Sequence, residues 1–235
     1  MDSNLSDGGP NALQAIFNEG AQSASVALSR WLGQPVRLAI SDIALVPLEQ
    51  ATELLGPPES LVAACGMGLD GRLSGSILMV FEDRSGLALI DMLLQQPQGV
   101  ATEWGEIEQS AAKETTNIIG CAYVGALAAH LPRDPSASAI DVETAADQII
   151  PTPPQFFHEF AGSLIEFALV DQLAELDQLL LIRTRLGKET RAAAGAEATI
   201  DDLNWTLLFV PSREARAILS AMFRQSEPHS GMSQA

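Results

Sequence analysis

Three polar residues, Ser110, Glu114 and Asn117, have types and a spacing that could carry chemistry. They are four and three residues apart, which places them on one face of an α-helix of 3.6 residues per turn. A hydroxyl, a carboxylate and a carboxamide on a rigid helix are a suitable platform for binding a partner or positioning a reactant. Many surface helices show a similar polar face without any function, so the spacing alone leaves both interpretations open.

The local chemistry of this turn favours the functional interpretation. Asn117 lies in the middle of the helical pattern, where Asn is less favourable than Ala by roughly half a kcal/mol. Thr115 and Thr116 beside it are also poor helix formers. Residues that weaken a helix without an evident structural gain often mark a functional position. Ile107, Ala111 and other apolar residues are expected to form a different face of this helix.

The elements that would position this stripe follow one order in two halves of the chain. Apolar periodicity and turn residues predict the same series in each half: a long helix, several strands and a closing helix. In the first half we expect helices after Pro10 to residue 32, at 47–56 and at 83–94, and strands at 36–46, 61–67 and 73–81, with a hairpin turn at 69–72. In the second half we expect helices at 104–130 and 153–160, and strands at 164–170, 179–186 and 205–210.

The repeated order predicts an α+β fold with a pseudo-twofold relation between its halves. The half-repeats span residues 11–97 and 104–224, and together they form a single domain, 11–224, around a shared mixed β-sheet. Residues 1–10 and 225–235 are polar and are expected to be disordered. Two segments of the second half, 132–147 and 187–202, contain few large apolar side chains and are expected to be surface loops.

Composition narrows the functional classes. The chain of 235 residues is 47% hydrophobic and 18% charged, which favours a packed core. Its 30 acidic and 13 basic residues give a net charge of −17, which disfavours nucleic acid and anionic membranes as partners. The two cysteines provide no disulfide framework, and neither a signal sequence nor a membrane span is evident. We therefore expect a cytoplasmic protein with a protein partner and no bound metal.

The pattern Ser-x-x-x-Glu-x-x-Asn on a long helix, within two related halves, resembles the CheC/CheX/FliY family of chemotaxis phosphatases. That family uses [Asp/Ser]-x-x-x-Glu-x-x-Asn at this position. Further segments are also similar to the family, and the resemblance extends over most of the chain. These are the first-helix residues 13–29, the glycine-containing hairpin residues 70–78 and the proline run 151–154.

The resemblance, most of all to CheC, implies hydrolysis of the phosphoaspartate on a phosphorylated CheY-like receiver. Asn117 would orient the attacking water, Glu114 would pair with the receiver's active-site lysine, and Ser110 would support the stripe by hydrogen bonding. No cofactor would be bound by this chain, because the Mg²⁺ belongs to the receiver. A CheD-like deamidase is a further possible partner that the resemblance implies.

The first half carries a degenerate form of the motif. Asn11, Ala15 and Asn18 stand where the second half has Ser110, Glu114 and Asn117. Since Ala15 offers no carboxylate, we expect this second site to be catalytically silent. The alternative is a non-catalytic receiver-binding adaptor or an interaction module like those of the flagellar switch proteins FliM and FliY. Retention of Glu114 together with Asn117 favours the enzyme.

Other candidate residues are weaker. Cys121 lies one turn after Asn117 on the same face, and we expect it to be a small packed residue rather than a nucleophile. The three histidines, His130, His158 and His229, are far apart in the sequence and are expected to be surface residues rather than metal ligands.

Overall fold

A computed structural model describes residues 9–131, 149–168, 178–188 and 203–225 of the chain. Two similar series of elements follow one another. The first consists of α1 (Gly9–Leu32), β1 (Val36–Pro47), α2 (Leu48–Leu54), β2 (Leu61–Gly71), β3 (Gly75–Glu82) and α3 (Asp83–Leu93). The second consists of α4 (Glu106–Ala129), β4 (Ile149–Pro151), β5 (Gln155–Phe160), α5 (Ala161–Ala168), β6 (Gln178–Lys188), β7 (Leu203–Pro211) and α6 (Arg213–Gln225).

The strands form one sheet with a symmetric strand order. When each strand is replaced by its equivalent in the other half, the same order is obtained, read from the opposite edge. The order is β1-β6-β7-β3-β2-β5, and the short β4 pairs with the end of β2. With the short β4 set aside, the first strand of each half (β1 and β5) therefore pairs with the second strand of the other half (β6 and β2), and the third strands β3 and β7 meet at the centre. This confirms two halves that share one α+β core.

Every pairing among the described strands is antiparallel, so the sheet that we expected to be mixed contains no parallel pair in that part of the chain. The pseudo-twofold relation explains the centre of the sheet. A twofold axis between β3 and β7 reverses one strand relative to the other, and hairpin-connected neighbours are antiparallel in any case.

Helices cover both faces of the sheet. Alternate residues of β2 point to opposite faces: Ala63, Cys65 and Met67 enter the larger core, whereas Val62 and Ala64 enter the smaller one. The larger core includes side chains of α1, α3, α4 and α6. The smaller core includes side chains of α2 and α5. The two long helices α1 and α4 thus share one face of the sheet.

The burial patterns of α1 and α4 match at a constant offset of 99 residues. Six equivalent positions are buried in both helices: 16, 17, 20, 21, 24 and 28 in α1, and 115, 116, 119, 120, 123 and 127 in α4. Their direct contact includes an edge-to-face ring pair between Phe17 and Tyr123, with centroids 5.5 Å apart. The structure therefore supports the alignment in which Ala15 is equivalent to Glu114 and Asn18 is equivalent to Asn117.

Two predicted elements of the second half are wrong. Residues 155–160 form the strand β5, which pairs with β2, although the preceding prolines suggested a helix. Leu164 and Ile165 belong to the helix α5, although their apolar run suggested a strand. β5 is rich in aromatic residues. The apolar run of α5 is so short that it fits both the helical and the strand period, so periodicity alone cannot assign it.

Smaller differences concern element ends. β2 continues to Gly71, into the predicted hairpin turn at 69–72, because Asp70 and Gly71 pair with β4 rather than with β3. Gly9, Pro10 and Gln225, which we assigned to disordered termini, are helical. Gly187 and Lys188, assigned to a loop, belong to β6. The remaining loop and terminal predictions, at 132–147, 189–202 and 226–235, lie outside the described residues, as do residues 1–8.

Within the described ranges, the helices are all too short or too polar to cross a membrane.

Candidate functional site

The predicted stripe is present on the solvent side of α4. Ser110, Glu114 and Cys121 are exposed, and Asn117 is half-buried. The opposite side of the helix lies close to the sheet: a Cβ added to Gly120 would meet the Met67 sulfur. α4 therefore packs closely against the sheet, which gives the polar stripe on its solvent side a rigid support.

Thr115 and Thr116 have a structural role that the sequence interpretation missed. Both are fully buried, and their hydroxyls donate hydrogen bonds to the carbonyls of Ala111 and Ala112 at 2.8 and 2.9 Å. Because these back-bonds satisfy the hydroxyls inside the core, the two threonines give no support for a functional site. Of the three residues in this turn, Asn117 alone remains as a helix-weakening residue outside the core.

Asn117 keeps its amide available. Its Oδ1 accepts a weak hydrogen bond from the Cys121 thiol at 3.7 Å. Its Nδ2 makes no hydrogen bond to any residue that the structure describes. An Asn in a helix interior that does not bond its own backbone has donor and acceptor capacity left for a molecule bound at the surface.

Cys121 is exposed, so the expectation of a packed residue is wrong, whereas the expectation that it is no activated nucleophile agrees with its surroundings. Partial burial and the nearby Glu114 carboxylate raise the pKa of the Cys121 thiol above its usual value. The thiol is therefore protonated at neutral pH, and a reactive thiolate is disfavoured.

Glu114 and Ser110 also face solvent. The Glu114 carboxylate forms no ion pair within the described ranges, and the Ser110 hydroxyl forms no side-chain hydrogen bond there. The supporting role predicted for Ser110 therefore requires a contact with a bound partner rather than with Glu114 or Asn117. An exposed carboxylate one turn before an available carboxamide is the central feature of the stripe.

Asp83, at the start of α3, helps to fix the beginning of α4 and was not singled out from the sequence. Its Oδ1 accepts a hydrogen bond from Trp104 Nε1 at 2.8 Å and lies 2.9 Å from His158 Nε2. The Trp104 carbonyl in turn accepts from Gln109 Nε2 at 2.7 Å. These contacts join α3, β5 and the first turn of α4. Nothing in the sequence signalled them, because the three segments are far apart along the chain.

The far end of α4 is joined to α1. His130 Nε2 lies 2.9 Å from the Glu19 carboxylate, and both side chains are about half exposed. His130 and His158 are thus surface residues in polar pairs, as the sequence predicted, and His229 lies outside the described residues. No group of three or more potential metal ligands occurs among the residues that the structure describes.

The equivalent face of α1 lacks the carboxylate. Ala15 and Asn18 are exposed at the positions equivalent to Glu114 and Asn117. Asn11 lies in the first part of α1, and its side chain is outside the described part of the structure. Both helices thus carry an asparagine at this position, but only α4 has a carboxylate three residues before it.

No family model matches the sequence. The fold is nevertheless that of flagellar switch proteins of known structure. It is similar to Thermotoga maritima FliY, with 13% identity, a TM-score of 0.65, and coverage of 96% of this chain and 100% of that one. It is also similar to the FliM middle domain of H. pylori, with 11% identity, a TM-score of 0.60, and coverage of 90% and 97%.

A third similar structure is FliM in the FliG–FliM complex of H. pylori, with 9% identity, a TM-score of 0.59, and coverage of 89% and 96%. At such low identities these similarities define the fold and not the activity. They confirm the fold that the resemblance to CheC/CheX/FliY proteins predicted.

Proposed function

We propose that this protein is a phosphatase that hydrolyses the phosphoaspartate of a CheY-like receiver in chemotaxis signalling. One observation carries the proposal: Glu114 and Asn117 lie on one stripe of the solvent side of α4, where Glu114 has no ion-pair partner among the described residues and Asn117 accepts only a weak hydrogen bond from the Cys121 thiol. A structural role would leave such groups bonded within the fold. These groups are instead available to a protein that contacts α4.

The chemistry required of this chain is small. Phosphoaspartate is an acyl phosphate, so attack of water on phosphorus breaks the bond to the carboxylate and yields aspartate and inorganic phosphate. The Asn117 amide would hold that water in line, with its Oδ1 as acceptor and its Nδ2 as donor. The displaced carboxylate leaves as an anion, and the proton of the water passes to phosphate or solvent. We place the Mg²⁺ on the receiver, where it would neutralise phosphoryl charge.

Glu114 would dock the helix rather than react. Its carboxylate lies one turn from Asn117, about 5 Å along the helix axis. An ion pair with the receiver's active-site lysine would hold Asn117 at a fixed height above the phosphoryl group. Ala15 cannot form such a pair, so we assign one active site to the chain, on α4.

The test is the decay of a phosphorylated CheY-like receiver with and without the protein. We expect the wild type to accelerate decay and Asn117→Ala to lose at least 90% of that acceleration, since the water would lose its positioning group. Glu114→Lys should abolish it by placing like charges together. Asn18→Ala, the equivalent change on α1, is the matched control and should retain wild-type activity.

Unchanged decay of every cognate receiver would contradict the enzymatic proposal. Equal activity of wild type and Asn117→Ala would contradict the site assignment. Loss of activity in Asn18→Ala would show instead that α1 carries a working site.

A non-catalytic binding module is the second candidate. The observation that favours it is the fold shared with the FliM middle domain, one example of which is in a complex with FliG. As an adaptor, this protein would bind a receiver, a switch component or a CheD-like deamidase through the same helices. Binding of the phosphorylated receiver without faster decay would favour this function over the phosphatase.

A further inference from the structure

We infer that the receiver-docking surface on α4 extends well beyond Glu114 and Asn117, from Ile107 at one end to Gly125 at the other. Ile107 acts as an apolar anchor, and Gly125 allows the partner's backbone to approach closely. This inference rests on the proposed function, because it takes the receiver as the occupant. It adds two residues that determine affinity without taking part in hydrolysis.

Ile107 does not lie on the apolar face where we expected it. Its side chain is 64% exposed, more than any other large hydrophobic residue in the described ranges. It precedes Glu114 by seven residues, which is about two turns and about 10 Å along the same face. A single exposed apolar residue is ordinary on a protein surface. This one lies in line with the Glu114 carboxylate and near the Asn117 amide of the proposed site.

Gly125 is a second, independent feature of the same face. A glycine inside a helix weakens it relative to alanine, so such residues usually have a packing reason. Gly20 and Gly120 have one, because an added Cβ would meet Tyr123 or Met67. At Gly125 an added Cβ would meet nothing within 4 Å. The fold itself therefore does not require glycine there, whereas a partner that approaches the helix backbone would.

The dimensions and charge of this surface fit a protein domain. Ile107 and Gly125 are 18 residues apart, which corresponds to about 27 Å of helix and is far longer than a small ligand. Glu114 is exposed on it, Glu103 and Glu106 are exposed just before its first residue, and Lys113 is the one basic residue of α4. A receiver that presents a lysine beside its phosphoryl group has the complementary charge, which favours association with this face.

The experiment measures binding and turnover separately. Binding of the full chain to a receiver loaded with beryllofluoride, a stable mimic of the phosphoryl group, gives the Kd without hydrolysis. We expect Ile107→Ala and Gly125→Leu each to raise Kd about tenfold, since the first removes the apolar anchor and the second blocks the close approach of the partner's backbone. In decay assays the same variants should raise KM by a similar factor and leave kcat within about twofold of wild type.

Matched controls separate docking from general surface effects. Val100→Ala removes a side chain that is 53% exposed in the segment before α4, and Val26→Leu changes the position on α1 equivalent to Gly125. Both controls should bind like the wild type. Thermal unfolding of each variant verifies that the fold is retained.

The outcomes distinguish this inference from the proposed function. Wild-type Kd in both Ile107→Ala and Gly125→Leu, with turnover intact, would overturn the extended surface alone. Weaker binding in both variants, with no turnover in the wild type, would support the surface and overturn the phosphatase. Equal weakening by Val26→Leu would also overturn the surface, because the effect would not be specific to α4.

Discussion

Asp91 is a buried charge that organises the segment before α4. It is fully buried in α3, and its carboxylate accepts hydrogen bonds from the backbone N–H groups of Gly99, Val100 and Ala101 at 2.6, 3.2 and 2.8 Å. A buried carboxylate is tolerated only when it is fully hydrogen-bonded. Because the segment it holds leads into α4, Asp91 contributes indirectly to the position of the stripe.

We predict that Asp91→Ala lowers the free energy of unfolding by about 2–4 kcal/mol, because three backbone donors lose a charged acceptor. Urea denaturation measures the change. Asp70→Ala, at an exposed carboxylate, is the control and should stay within about 0.5 kcal/mol of wild type. Equal losses in the two variants would contradict the role assigned to Asp91.

At the scale of single residues, the sequence predicted the stripe but not its neighbours. The i, i+4, i+7 spacing was sufficient to place Ser110, Glu114 and Asn117 on one face, because helical geometry is regular. It was insufficient for Thr115 and Thr116, whose burial depends on the sheet beneath them. Ile107 also differs from expectation, since it lies on the solvent face of α4, seven residues before Glu114.

Among the elements, the contact between α1 and α4 depends on small residues at close approach. A Cβ on Gly20 would overlap Tyr123 Cδ1 and lie 3.1 Å from the Tyr123 Cα. The second of these atoms belongs to the backbone of α4 and cannot move aside cheaply. Gly20 is therefore a packing requirement of this helix pair.

Gly20→Ala and Gly125→Ala should consequently change stability in opposite directions. Alanine favours a helix interior over glycine by about 1 kcal/mol, and overpacking costs about 1–3 kcal/mol. At Gly20 the overpacking prevails, and we predict a net loss of about 1–2 kcal/mol. At Gly125, with open space, we predict a gain of about 0.5–1 kcal/mol. Thermal and urea unfolding of the two variants measure both signs, and a gain at Gly20 would contradict the observed packing.

The type of an element was predictable from the sequence where its apolar periodicity was long. The prediction failed where the periodicity was short. The periods of α1 and α4 extend over many turns, so their existence was clear from the sequence. β5 and α5 have only six and eight residues, and their apolar residues fit either period. The pairing of β5 with β2 decided its form, and a contact between distant segments is not visible in local periodicity.

For the whole molecule, two buried groups make stability sensitive to alkaline pH. Burial raises the pKa of the Cys65 thiol from 9.0 to about 12, and the Thr116 hydroxyl and Lys113 offset part of this rise. Burial also raises the pKa of the Tyr123 hydroxyl from 10.0 to about 12, with a smaller opposing effect of the Thr184 hydroxyl. Both groups are therefore kept neutral by the core that the two halves share.

We predict that the free energy of unfolding falls as pH rises from about 9 to 12. The unfolded chain loses the Cys65 proton as pH passes 9.0 and the Tyr123 proton as pH passes 10.0, whereas the native state retains both until about pH 12. The free energy of unfolding therefore decreases as pH rises through this window. Each group contributes about 1.4 kcal/mol per pH unit where its protonation differs between the states. Urea unfolding at several pH values measures the slope. Tyr123→Phe should reduce it by the contribution of one group above pH 10, and an unchanged slope would contradict the assignment.

The exchange of strands between the halves has a consequence for the origin of this fold. Since β1 pairs with β6 and β5 pairs with β2, each half needs strands of the other half to pair all of its own strands. An ancestor encoding one half would have required two identical copies to build the same sheet, and that pair would have carried two equal stripes. Fusion of the two copies into one chain would allow each copy to diverge. The acid at Glu114 beside the alanine at Ala15 is the kind of asymmetry that a fused pair can acquire and a symmetric dimer cannot.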